Sequence, residues 1–189
     1  MNAMAYRLLR ALAGLARWLG WHRVSLFLLG RVLVLRPLDA EASARWAQGL
    51  FDAGRKGAAI KAVQQLVKDH PGRAGNWFDL AYWLESTGRH GESESAFRAA
   101  LELAPDMDRA WYGLALVLIR EQRWPGACAA LEHTTRLQPR SHLAWYQRGK
   151  VHMKMGDTEQ ALAVIRHLRT LEPQVALRLA EETGLSGVA

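Results

Sequence analysis

Cysteine is almost missing from this chain: among its 189 residues only Cys128 carries a thiol. One cysteine cannot close a disulfide within the chain or build a cysteine-based metal site, and it fits a reducing compartment. Long apolar runs are missing too. No stretch reaches the roughly 18 uncharged apolar residues that a spanning helix needs, and the longest run near the N-terminus, 24–30, is closed by Arg23 and Arg31. A secretory leader reads poorly because the apolar run after Arg10 meets Arg17 after six residues. These absences lead us to expect a chain that is mature from its start and cytoplasmic, free or peripheral at a membrane. Acids are scarce at one end: residues 1–39 hold six arginines and a single acid, Asp39, whereas the other 150 residues carry 19 bases and 17 acids. The net charge of +7 therefore belongs to the N-terminal segment. The seven histidines form no H-E-x-x-H or other paired ligand spacing, so neither metal nor cofactor is expected. No glycine-rich phosphate loop occurs and no nucleophile, base and oxyanion donor can be assembled, which argues against an enzyme.

What the chain has is periodicity. Half of its residues are hydrophobic and 23% are charged, the composition of a folded globular protein. Pro37, Pro71, Pro105, Pro139 and Pro173 each stand 34 residues from the last, and Gly20, Gly54, Gly88, Gln122 and Gly156 precede them in phase. Trp77, Trp111 and Trp145 keep the same interval. Between these marks the apolar residues adopt helical spacing, as in Trp77, Leu80, Ala81 and Leu84 and again in Phe97, Ala100 and Leu101. Glycine suits the left-handed residue that ends a helix and proline does not readily continue one, so each unit reads as two short helices joined by a glycine turn. Trp124-Pro125 opens a second helix, where a first-turn proline loses no hydrogen bond.

This pattern resembles the tetratricopeptide repeat family, with its 34-residue helix-turn-helix unit. Repeat 74–107 supplies Trp77, Leu80, Ala81, Leu84, Phe97, Ala100 and Pro105; 108–141 supplies Trp111, Leu114, Ala115, Leu118, Ala127, Leu131 and Pro139, with Thr134 in place of an alanine. Repeat 142–175 keeps Trp145, Gly149, Ala161, Ile165 and Pro173 but has Arg148 and His152 at two apolar positions, and 40–73 has Ser43 where tryptophan is expected. Residues 6–39 hold the phase as a degenerate, basic and apolar first repeat, and 176–189 form a capping helix and tail. The resemblance implies an all-α fold: one right-handed superhelical solenoid of antiparallel helix pairs over 1–189, closed by the C-terminal capping helix.

Most conspicuous residues have a structural reading. The tryptophan ladder packs between helices, Cys128 is a small buried hydrophobe beside Ala127 and Ala129, and His152 is a hydrogen-bonded packing residue. Function is expected on a concave face lined by the first helix of each repeat. Carried over from the family, its positions are Phe51, Phe78, Tyr82, Arg109, Tyr112, Leu116, Ile119, Arg120, Tyr146, Lys150, Met153 and Lys154. Packing needs none of these aromatics, and aromatics with arginine are what protein-binding surfaces enrich. The resemblance thus implies a scaffold or adaptor holding a peptide or helix of a protein partner. Phe78, Tyr112 and Tyr146 do not resemble the lysine and asparagine clamp with which better-known members grip a terminal carboxylate.

The first repeat is apolar where a terminal unit is normally polar. Arg7, Arg10 and Arg17 with Trp18, Trp21 and Phe27 suggest docking to an anionic membrane surface or a membrane protein, with self-association and simple capping as alternatives. The rival reading is a helical-repeat RNA binder. Nucleic acid is disfavoured, since pentatricopeptide repeats have a period of 35 residues and the later repeats are nearly neutral.

Overall fold

The computed structural model describes residues 2–186. Among these residues every regular element is a helix: α1 (Asn2–Trp18), α2 (His22–Leu35), α3 (Ala40–Asp52), α4 (Lys56–Asp69), α5 (Ala74–Glu85), α6 (His90–Leu103), α7 (Asp108–Arg120), α8 (Trp124–Leu137), α9 (His142–Lys154), α10 (Thr158–Leu171) and α11 (Pro173–Thr183). The all-α expectation is met, and the 34-residue frame is visible in the bounds. Helices α3, α5, α7 and α9 start on the first residue of a repeat, and every second helix ends two residues before its proline. Two bounds fall elsewhere. Helix α1 starts at residue 2, ahead of the frame, and α11 begins on Pro173 itself, which serves as a first-turn residue.

The turns have their cause in backbone chemistry. Gly20, Gly54, Gly88 and Gly156 adopt φ of 75, 76, 79 and 78°, the left-handed conformation that closes the preceding helix, while Gln122 holds the same place at φ 57°. The linked proline and tryptophan also have a physical cause. The indole N–H groups of Trp77, Trp111 and Trp145 donate to the carbonyls of Pro71, Pro105 and Pro139, each at 2.8 Å. Two of the rings also meet the second helix, Trp111 stacked on His133 at 4.1 Å and Trp145 against His167 at 4.2 Å. Trp111 and Trp145 therefore fasten their helices both to the loop before and to the helix after.

The chain divides into two compact units, Met1–Glu92 and Ser93–Ala189. In the first, α1 pairs with α2, α2 packs on α3, α3 pairs with α4 and α4 packs on α5. Val32, Leu50, Val63 and Leu84 fill its interior with Trp83, which is only 2% exposed. In the second, α7 pairs with α8, α8 packs on α9, α9 pairs with α10, and α11 lies on both α9 and α10. Leu118, Leu131, Ile165, Leu168 and Leu179 are among its fully buried residues. Gly149 permits the closing contact, because a Cβ there would stand 2.5 Å from a Leu179 methyl and 3.1 Å from Val164.

Candidate functional site: two faces

Of the twelve groove residues expected from the sequence, three lie in the first unit. Phe51 stacks on Trp83 at 4.8 Å and meets Tyr82 at 6.3 Å, and Phe78 and Tyr82 lie near parallel at 6.5 Å. One face of Phe51 is thus part of the packing, through a partner, Trp83, that the repeat pattern did not single out. Tyr82 remains exposed.

The other nine lie in the second unit. On α7, Arg109, Tyr112, Leu116, Ile119 and Arg120 share one side by helical spacing; both arginines are exposed and the three others half-buried. Burial pushes the Tyr112 hydroxyl above its ordinary pKa, partly offset by a hydrogen bond with Gln147 of α9. On α9, Met153 packs on the α10–α11 core while Lys154 is exposed. Tyr146 and Lys150 are engaged. The Tyr146 hydroxyl donates to the Glu182 carboxylate of α11 at 2.6 Å, Lys150 Nζ donates to the same oxygen at 3.2 Å, and Arg178 Nε donates to the other at 2.9 Å. Both cations also lie over the Tyr146 ring, Lys150 at 5.4 Å and Arg178 at 5.5 Å. These three donors, the tyrosine foremost, pull the Glu182 carboxyl down to a pKa of about 2. This aromatic and basic place therefore accepts a carboxylate, and the chain supplies one of its own.

Glu182 and Arg178 escaped the sequence reading. An Arg–Glu pair four residues apart on a terminal helix was visible, but the frame ends at 175 and gives no register beyond that residue.

At the N-terminus the expected docking residues separate into two sets. Arg10 is engaged at the surface: it donates to the Tyr6 hydroxyl at 2.9 Å and pairs with Glu41, and Tyr6 donates to Asp39. Asp39 also accepts from the backbone N–H groups of Glu41 and Ala42, so it caps α3. Burial works against its ionisation, but Tyr6, these N–H groups and Arg10 outweigh it and hold the carboxyl below the usual range. Arg10 is thus a fastener between α1 and α3. Arg7, Arg17, Trp18, Trp21 and Phe27 all face solvent.

One further cluster has the order of a nucleophile, a base and an orienting acid. Cys128 Sγ lies 3.6 Å from His152 Nε2, and His152 Nδ1 lies 3.4 Å from Asp157. Burial pushes the thiol up and, with Arg148, pushes the imidazole down. Both are held neutral, the reverse of an activated thiolate and imidazolium pair. His152 is buried and belongs to the packing between α8 and α9. Among the described residues no group of three or more His, Cys, Asp or Glu could hold a metal ion, and no helix is long and apolar enough to cross a membrane.

The family profile described as Tetratricopeptide repeat matches residues 40–108, 84–142 and 112–176. No curated protein matches the chain in sequence. Among solved structures, MamA superimposes with a TM-score of 0.82 at 18% identity, covering 99% of this chain and 98% of its own. MamA from residue 41 to its end, from Desulfovibrio magneticus RS-1, gives 0.81 at 17% identity over 90% of this chain and 96% of its own. YrrB, described as a TPR protein with an unusual peptide-binding site, gives 0.80 at 16% identity over 92% of this chain and 90% of its own. At such identities the likeness is one of fold.

Proposed function

Because the chain belongs to the tetratricopeptide repeat family, a family of protein-interaction scaffolds and not generally of enzymes, we propose that it is an adaptor that holds a peptide or helix of a partner on the α7–α9 face. The observation that carries this reading is the seat of Glu182: Tyr146, Lys150 and Arg178 gather around a carboxylate at the edge of a face that also carries Tyr112, Arg109 and Arg120. A surface that is aromatic, basic and half-buried favours a partner segment with acidic and apolar residues. YrrB, a fold neighbour with a peptide-binding site, makes a peptide the natural first probe. The N-terminal hairpin α1–α2 is the second attachment, to a membrane or to a protein embedded in one. Its exposed tryptophans and arginines support that role.

The test is selection of peptides from a random displayed library on the immobilised full-length chain. Enriched sequences should contain acidic and apolar residues, and Tyr112→Ala with Arg109→Gln should weaken them by more than ten-fold, about 1.4 kcal/mol or more. Peptides that bind the double variant as well as the parent would place the binding surface elsewhere.

A further inference from the structure

Helix α1 is apolar on two sides. Tyr6, Ala13 and Ala16 are buried, the first two against Leu29 and Val32 of α2 and Ala42 of α3, while Met4, Leu8, Leu12, Leu15, Trp18 and Leu19 are exposed. The exposed set recurs at intervals of three and four residues and so forms one row along the helix, opposite Tyr6 and Ala13. Trp18 ends the row at 82% exposure, and Trp21, also exposed, lies in the turn after it. Helix α2 repeats the arrangement with Val24, Phe27 and Val34 outward, opposite the buried Ser25, Leu29 and Val32.

Charge selects the occupant. Residues 2–36 contain no acid, and Arg7, Arg23 and Arg31 are exposed beside these rows, whereas Arg10 is tied to Glu41 and Arg17 lies on the other side of α1, toward Arg45, Gln48 and Asp52 of α3. Two copies of such a hairpin laid face to face would oppose arginine to arginine, a contact that like charge disfavours. A surface that is apolar beneath and anionic above satisfies both features: leucines enter the headgroup boundary, tryptophans sit at that level, and guanidinium groups meet phosphates.

We infer that the α1–α2 hairpin docks on an anionic lipid bilayer, lying in its interface with the Leu8, Leu12, Leu15 and Trp18 row immersed and Arg7, Arg23 and Arg31 on the headgroup phosphates. This deepens the second attachment proposed above by naming lipid as its chemistry. Apolar insertion and basic attraction are the two signals that together give stable but reversible binding.

The experiment is flotation of the full-length chain with vesicles of phosphatidylcholine alone and of phosphatidylcholine mixed with phosphatidylglycerol. The mixed vesicles should bind it much more tightly, and rising salt should weaken binding. Replacing Arg7, Arg23 and Arg31 with glutamine should weaken binding about 100-fold, since each basic residue near such a surface contributes roughly a five-fold factor. Leu15→Ser with Trp18→Ser should weaken it about ten-fold or more, with an unchanged circular dichroism spectrum. Removing three exposed arginines from the second unit, Arg136, Arg140 and Arg166, should leave binding within about two-fold, because none of them belongs to the docking hairpin. Equal binding to the two vesicle types, or an equal loss in both arginine triples, would overturn the inference. So would a solution dimer whose contact shields Trp18. Binding to native membranes that protease treatment abolishes, with none to vesicles, would refute lipid while leaving the second attachment standing. Peptide capture is read separately, so neither failure touches the α7–α9 reading.

Discussion

The first and last helices, α1 and α11, are each apolar on one side and charged on another, yet they divide their large apolar residues differently between core and solvent. Helix α11 buries Ala176, Leu179 and Ala180 on its neighbours, leaves Leu177 as its one exposed leucine and carries Arg178, Glu181 and Glu182 on its surface, Glu182 held by α9, as a closing helix can. Helix α1 buries small residues and Tyr6 and leaves Leu8, Leu12, Leu15 and Trp18 in solvent. A terminal helix that only closed a stack would have α11's distribution. The excess on α1 is surface that the fold does not use.

Truncating one leucine in each helix should separate them most strongly. Leu179→Ala removes a side chain with 0% exposure and should cost about 2–5 kcal/mol in chemical unfolding, whereas Leu15→Ala should fall within about 0.5 kcal/mol of the parent. Similar losses would mean that the α1 row is covered in solution. Tryptophans give a second, somewhat smaller contrast. Trp111→Ala, which loses both the bond to Pro105 and the stack on His133, should destabilise by about 2–4 kcal/mol, while Trp18→Ala should be nearly neutral.

At the turns the effect is smaller. Gln122 holds a left-handed conformation that four repeats give to glycine, so Gln122→Gly should stabilise by about 0.5–1 kcal/mol, and Gly88→Gln should destabilise by a similar amount. The smallest effect is electrostatic and concerns the α11 latch. A carboxylate whose folded pKa is depressed adds stability that is fully present above its unfolded pKa, near 4.5, and is lost as pH falls through about 2. The latch should therefore be closed at neutral pH and open only in strong acid. Glu182→Gln should flatten that part of a pH-dependent melting curve and leave the curve above pH 5 parallel to the parent's.

Most of the fold was legible because its signals are local. Proline, glycine and tryptophan at a fixed interval report helix ends, and the bonds from Trp77, Trp111 and Trp145 to the proline carbonyls six residues earlier tie two of these signals together physically. The faces were legible only in part. Spacing alone shows which residues share a side of α7. That Arg10 is drawn to Asp39 and Glu41 depends on how α1 meets α3, and that Glu182 reaches Tyr146 depends on where the tail crosses α9, beyond the last repeat. Phe51 was assigned to recognition, and its stack on Trp83 arises because that ring, at a position without a motif role, is the one buried.

We take the two attachments to be separate, one on α7–α9 for a peptide and one on α1–α2 for a surface. Co-flotation tests it most directly: a labelled library-selected peptide is mixed with the full-length chain and anionic vesicles. We expect the peptide to float only when the chain is present. Tyr112→Ala should release the peptide while the chain stays bound, and the Arg7, Arg23 and Arg31 glutamine variant should remove both from the vesicles with its peptide affinity in solution unchanged. Release of the peptide on vesicle binding, or a loss of peptide affinity in the arginine variant, would contradict it.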